Sequence, residues 1–187
     1  MKAFMDYYRL ISPGVYEYLL CLTGNTVIAE KLLQETFVLT NQLMMYLKKA
    51  PYLEIWTFSQ AKKKYEDYLK SPEKYQALIQ SSAEQAGDRQ DRDMERRVRS
   101  RRNARNQQQE EAPSEKDEAL KGVSDDWIRV RQLTVEIEDP LLRQVMALIL
   151  FGGLDFKDVS MILGKSEMWA KMAYYRGKMQ MFGRNAS

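Results

Sequence analysis

An all-α fold follows from three observations on this chain. Apolar residues recur at helical spacing, no convincing period-two run signals a strand, and a helix, a Gly turn and a second helix close the C-terminal half. The last pattern spans Asp155 to Arg176. Asp155 suits a helix cap with Asp158 as the returning acidic partner, and Phe156, Val159, Ile162 and Leu163 share one face. Gly164 makes the turn and Ser166 caps the next helix. Small residues at Ser160, Gly164 and Ala170 stand where two helices must cross closely. Two short helices joined this way form a helix-turn-helix, whose second helix enters the DNA major groove, although a helical hairpin in a bundle carries the same pattern.

The other elements follow in order. Ser12-Pro13 signals a helix start, Val15, Tyr18, Leu19 and Leu22 form its stripe, and Thr23-Gly24-Asn25 ends it. A second helix runs from Ala29 through Phe37 into Leu39, Leu43 and Tyr46, and Pro51 bounds it. The third, Glu54 to Lys70, has Trp56, Ala61, Tyr65 and Leu69 on its apolar side and Lys62, Lys63, Lys64 and Lys70 elsewhere. Ser71-Pro72-Glu73 starts a solvent-exposed helix that runs into a polar stretch. From Gln80 to Ala119 the large apolar residues are Met94 and Val98 alone, too few to offset the entropy of ordering. Asp139-Pro140 begins a helix that Gly152-Gly153 stops, with Leu141, Val145, Leu148 and Ile149 as its buried face. The expected organisation is two small helical domains, residues 1–70 and 124–187, joined by a long, charged, partly disordered linker, 71–123.

Composition excludes several function classes. The 187 residues allow one or two small domains, and a net charge of +3 is too small to argue for nucleic acid by itself. Counted by segment, residues 127–187 hold nine Lys/Arg against six acids, so the helix-turn-helix half is the more basic. Histidine is absent, which removes the commonest general base and metal ligand, and no metal or cofactor is expected. The one cysteine, Cys21, lies in an apolar run, so a disulfide framework is excluded and a core position in a reducing cytoplasm is expected. No apolar run approaches membrane-spanning length and Asp6 comes too early for a signal peptide, so no membrane insertion is expected. Scattered carboxylates and lysines without a Gly-rich phosphate loop make no enzyme.

The third helix interleaves cations with aromatics. Lys62, Lys63, Lys64 and Lys70 lie beside Trp56, Phe58, Tyr65 and Tyr68, the combination that holds unstacked single-stranded bases. Trp56 and Tyr65 also have the spacing of core residues, and the lysines that of a solvated face. On the second helix of the helix-turn-helix, spacing sends Glu167, Lys171, Tyr174 and Met168 toward base edges and Ser166, Tyr175, Arg176 and Lys178 toward phosphates. Trp169 and Met172 are assigned to packing.

Three blocks together resemble the extracytoplasmic-function (ECF) group of bacterial RNA polymerase sigma factors. The first is Ala29-Glu-Lys-Leu-Leu-Gln-Glu-Thr-Phe37, where that group shows Ala-Glu-Asp-Leu, any residue, Gln-Glu-Thr-Phe. The second is Trp56 followed by Ala61-Lys-Lys63, Asp67 and Lys70, similar to a Trp, Ala-Arg-Asn, Asp, Arg pattern at the same spacing. The third is Pro140 with Gly153-Leu-Asp-Phe-Lys-Asp-Val-Ser160 and Gly164, similar to Gly-Leu-Ser-Tyr-Glu-Glu-Ile-Ala and a later Gly. The chain departs from the pattern at Lys31, Lys63 and Ala173, and its linker is long and arginine-bearing where the group is commonly short or acidic. Sigma factors of toxin and bacteriocin genes have a similar size and layout, which leaves the subgroup open.

The resemblance implies a cytoplasmic bacterial protein that binds core RNA polymerase and directs transcription initiation. It implies polymerase contacts at Leu32, Leu33, Gln34, Glu35 and Phe37 against the β′ coiled coil, with the β flap as a further partner. It assigns the minus-ten element to Trp56, Phe58, Lys62, Lys63, Lys64, Tyr65, Asp67 and Lys70. The minus-thirty-five element falls to the second helix of the helix-turn-helix, and an anti-sigma factor is a further implied partner. The alternative is a helix-turn-helix regulator that binds duplex DNA without polymerase, for which the blocks Leu32–Phe37 and Trp56–Lys70 have no use. Arg96 to Arg105, with six arginines in ten residues, is explained by neither; it suits phosphates or neutralisation by the acids from Glu110 to Glu118.

Overall fold

Pro13, expected to open the first helix, lies inside it. In the computed structural model, which describes residues 2–44, 51–81 and 126–183, helix α1 spans Lys2–Thr23. Phe4, Tyr8, Ile11, Val15, Tyr18 and Leu22 follow one another at steps of four and three and form one inward stripe on both sides of the proline. An interior proline costs about 3 kcal/mol. Burying several large side chains, at roughly 1.5–3 kcal/mol each, outweighs that, and the ring of Pro13 faces solvent.

The remaining elements are α2 (Thr26–Met44), α3 (Pro51–Lys70), α4 (residues 73–81), α5 (126–135), α6 (Pro140–Leu150), α7 (Phe156–Leu163) and α8 (Glu167–Gly183). The described residues contain no strand, as the helical periodicity predicts. Among them no helix is long and apolar enough to cross a membrane. Gly24, at φ +63°, turns the chain out of α1, and Asn25 Oδ1 then caps α2 by accepting from the amides of Val27 (2.9 Å) and Ile28 (3.1 Å).

α1, α2 and α3 pack on one another around Tyr18, Leu19, Ile28, Leu32 and Ala61. Polar side chains inside this core are satisfied locally: Thr36, Thr40 and Thr57 each donate to the carbonyl four residues back, and Tyr7 Oη lies 2.9 Å from Thr57 Oγ1. The buried stripe of α3 is Leu53, Thr57, Phe58, Ala61 and Tyr65. It is rotated from the expected one: Trp56 is only half-buried and Leu69 is exposed, because α3 has neighbours on two sides, α1 with α2 on one and α7 on the other.

α4 does start after Pro72, but it is not a fully solvated helix. Tyr75 meets Tyr68 edge-on at 5.3 Å, and Tyr75 and Ile79 rest against the core. Most of the expected linker, with the Arg96–Arg105 run, lies outside the described residues. α5 was not anticipated. It is held by Trp127, edge-on to Phe151 at 5.0 Å, and by Arg143 of α6, whose Nε and Nη2 donate to the carbonyl of Ile137 just beyond it. The Asp139 cap of α6 is as expected, with Oδ1 accepting from the amides of Leu141 and Leu142. Its buried face instead centres on Leu142, Val145, Met146 and Leu148; Leu141 is exposed and Ile149 half-buried, since α6 is covered by both α1 and α8.

The N-terminal and C-terminal helices meet along a seam where α1 packs on α6 and α3 on α7. Small residues make the close approach possible. A Cβ on Gly14 of α1 would lie 2.7 Å from the carbonyl oxygen of Phe151, and one on Gly152 would lie 3.0 Å from Phe58 Cζ. Tyr18, fully buried, sets its ring edge-on to Phe58 at 5.9 Å and its hydroxyl donates to Gln144 Oε1 at 3.5 Å. Arg131 Nε approaches Glu17 Oε2 at 3.4 Å, yet that buried oxygen accepts no hydrogen bond. A cleft of about 290 Å³, lined by Leu10, Gly14, Glu54, Phe58 and Gly152 among others, opens at one end.

The seam carries acids at a cost. Burial raises the pKa of Glu17, with Arg131 opposing; burial and then Asp158 raise that of Glu54; burial and then Asp155 raise that of Asp158. A carboxyl whose folded pKa lies above its unfolded value stabilises the fold below the unfolded pKa and loses that contribution as pH rises through the folded one. Two tests follow. Gly14→Ala should cost about 1–3 kcal/mol in chemical denaturation, because its Cβ meets backbone that cannot give. Glu54→Gln should raise Tm at about pH 7 by no more than about 4 °C, since partial exposure holds the pair below about 1 kcal/mol, and this gain should vanish by about pH 4. An increment that stayed constant with pH would remove Glu54 as its source.

Candidate functional site

The caps and the turn between α7 and α8 lie where their residues predict. Asp155 caps α7, with its Oδ1 accepting from the amide of Asp158 at 2.8 Å. Gly164 ends the helix at φ +64°, a left-handed conformation costly for residues with a Cβ. It has no close neighbour at the Cβ position, so the glycine answers to the turn and not to helix crossing. Ser166 Oγ then accepts from the amide of Trp169 at 3.2 Å and caps α8. α6 and α7 both pack on α8 and fix its direction.

α8 buries its small side chains and, apart from Met181, keeps its large ones at least partly exposed. Ala170, Ala173, Gly177 and Met181 face inward, and a Cβ on Gly177 would lie 2.7 Å from Met146 Cγ. Glu167, Met168, Lys171, Tyr175, Arg176 and Lys178 are exposed, as a surface role requires, and so is the cap residue Ser166. Tyr174 is half-buried between Phe156 (5.6 Å) and Tyr175 (5.7 Å). Trp169 is half-buried with Lys165 Nζ 5.8 Å above its ring, but Met172, expected in the core, is exposed. The steps of three, four and four in Ala170, Ala173, Gly177 and Met181 are the signal that assigns this face; ranking residues by hydrophobicity hides it.

On α3 the aromatics and cations divide. Phe58 and Tyr65 are buried, so in this arrangement neither presents a face to a base. Trp56 and Tyr68 are half-buried at the surface. Three lysines are paired: Lys62 with Glu66 at 2.6 Å, Lys64 with Glu35 at 3.4 Å, and Lys70 with Asp67 at 3.2 Å. Lys63 is exposed and makes no ion pair among the described residues. Asp67 is exposed and serves Lys70.

On α2, Leu32, Leu33 and Phe37 are core residues, with Phe37 inside a cluster formed by Phe4, Tyr7 and Tyr8. Gln34 is exposed, and Glu35 is half-exposed between Lys64 and Lys31. The Glu35–Lys64 pair joins the α2 and α3 surfaces, a link no sequence spacing reveals. Cys21 is fully buried and its thiol is pushed up to about 12 by that burial, which leaves it inert. Among the described residues no three His, Cys, Asp or Glu side chains group to hold a metal.

No family profile and no curated protein matches the sequence. Solved structures do share the fold. One is the sigma factor RpoE from Bartonella quintana, crystallised in complex with the anti-sigma factor NepR, at a TM-score of 0.59 and 15% identity over 98% of this chain and 96% of that one. At that identity the likeness is one of fold, and it extends over both the N-terminal and the C-terminal helices.

Proposed function

We propose that this chain is a sigma factor of the ECF type, which joins core RNA polymerase in the bacterial cytoplasm and directs it to promoters. The observation that carries the reading is the capped helix-turn-helix, whose α8 offers Lys171, Arg176 and Lys178 to solvent with no ion pair among the described residues. A sigma-factor fold likeness over nearly the whole chain supports it. In this reading residues 1–70 bind polymerase and the minus-ten element, residues 71–123 connect, and residues 124–187 bind the minus-thirty-five element.

The roles narrow once burial is considered. Polymerase docking on the β′ coiled coil falls to Gln34 and Glu35, the two assigned residues of α2 that reach the surface, with Leu32, Leu33 and Phe37 holding the helix from beneath. A β-flap contact and an anti-sigma factor belong to the same reading. Single-strand capture falls to Lys63 and Trp56, which are accessible as the protein stands. Phe58, buried against Tyr18 and Gly152, meets a base only when the seam between the N-terminal and C-terminal helices opens around it. Glu167, Lys171, Tyr174 and Met168 face base edges, and Ser166, Tyr175, Arg176 and Lys178 face phosphates.

Two experiments test this. Gln34→Ala with Glu35→Lys should abolish copurification of core polymerase while helical circular dichroism stays at the wild-type value; retained binding would refute the docking surface. Lys63→Ala with Trp56→Ala should leave closed complexes intact but lower open complexes at least about fivefold by permanganate reactivity, since a stacked base contributes roughly 1–3 kcal/mol. A promoter with a premelted minus-ten region should recover part of the loss. Wild-type opening in the double variant would shift the reading to a regulator that binds duplex DNA without polymerase.

A further inference from the structure

A cleft of about 290 Å³ stands open at one end of the seam, and three elements share its walls. Leu10 and Gly14 come from α1, Glu54 and Phe58 from α3, and Phe151 with Gly152 from the chain where α6 ends. Small-molecule sites favour such junctions, where walls are mostly apolar and a few polar groups fix orientation. The volume admits one small molecule and no helix.

Charge decides what fits there. Glu54 is the one ionisable side chain of the lining, and it makes no ion pair and no side-chain hydrogen bond among the described residues. Burial and then Asp158 of α7 raise its pKa, so the charge it meets across the seam is a like charge. Tyr7 of α1, the other titratable group that senses Glu54, sets its hydroxyl against Thr57 instead. The end of α6 adds to the negative potential, since its last turn has no basic side chain and its terminal carbonyls form the negative end of the helix dipole. A half-buried carboxylate without a counter-charge is costly, and a bound cation offsets that cost. A bare metal ion does not suit the cleft, because hard cations need several oxygen ligands and the side chains here supply one carboxylate among apolar walls. A neutral apolar molecule would desolvate Glu54 further.

We propose that this cleft binds a small organic ammonium ion, with its nitrogen at Glu54 and its apolar body against Leu10, Phe58 and Phe151. Such a ligand touches α1, α3 and the end of α6 together, so it binds the closed seam and raises its population. Phe58 then stays buried. The site itself requires neither polymerase nor DNA, and it stands if the sigma-factor reading falls.

The test uses the full chain and phenethylammonium, with phenethyl alcohol as the neutral molecule of the same skeleton. Titration at about pH 8, where carboxyl and amine are both ionised, should show saturable binding of the ammonium ion at least about tenfold tighter than that of the alcohol. Glu54→Gln, a variant expected to raise Tm, should remove this preference, whereas Glu73→Gln at an exposed acid of α4 should keep it. With the ammonium ion at about ten times its Kd, hydrogen exchange should slow about fivefold or more at the amides of Gly152, Gly153 and Leu154, which bond back to α6 carbonyls beside the cleft. No saturable binding of the ammonium ion, equal affinity for the alcohol, or a preference that survives Glu54→Gln would overturn the proposal. Unchanged exchange at these three amides would also overturn it and place the ammonium ion elsewhere on the protein.

Discussion

Tyr18 is the residue on which the two ends of the chain converge. Its ring has no exposure, packs edge-on to Phe58 of α3, and places its hydroxyl at Gln144 of α6. Burial forces the phenol to stay protonated and raises its pKa far above the ordinary value, so the hydroxyl is a permanent donor. α1 touches α2, α3 and α6, and it tolerates an interior proline because the burial on both sides of Pro13 exceeds the lost hydrogen bond. α1 holds α6 directly, while α7, which presents the turn at Gly164, packs on α3, α6 and α8.

Close approach by small residues is the second organising constraint. Gly14 against the Phe151 carbonyl, Gly152 against Phe58, and Gly177 against Met146 bring three pairs of elements to distances at which a Cβ would clash. Protein interiors are packed too densely to absorb such a clash without movement. The consequence on α8 is an inversion: the inward face is Ala170, Ala173, Gly177 and, near its end, Met181, and most long side chains stay outside. The same choice that seats the helix against α6 leaves its outer face rich in methionine and cation.

Much of this was legible in the chain. Helical periodicity gave the all-α class, Asp139, Asp155 and Ser166 announced their caps, and Gly164 announced its left-handed turn, because those signals are local. Which face each helix buries was less legible. Leu141, Leu69 and Met172 were assigned inward by spacing and lie outside, because α6, α3 and α8 each answer to neighbours distant in sequence. α5 was missed for a related reason: Trp127, Arg131 and Thr134 acquire meaning only through Phe151, Glu17 and the rest of the seam. The candidate site divides in the same way: Gln34, Lys63 and Lys171 are exposed, and Lys62–Glu66 and Lys70–Asp67 are local pairs at spacings of four and three on α3, whereas the Lys64–Glu35 pair and the burial of Phe58 depend on tertiary packing.

The central claim is that α1 joins the N-terminal and C-terminal helices into one packed body through Tyr18, Phe58 and Gly152. Double electron–electron resonance tests it directly, with spin labels on the exposed positions Leu10 of α1 and Met161 of α7 in a Cys21→Ala background. The account predicts one short, narrow distance distribution in the free protein, broadened when Gly14→Ala is added. A broad distribution in the parent protein, extending to the separations of two tethered and independent halves, would contradict it.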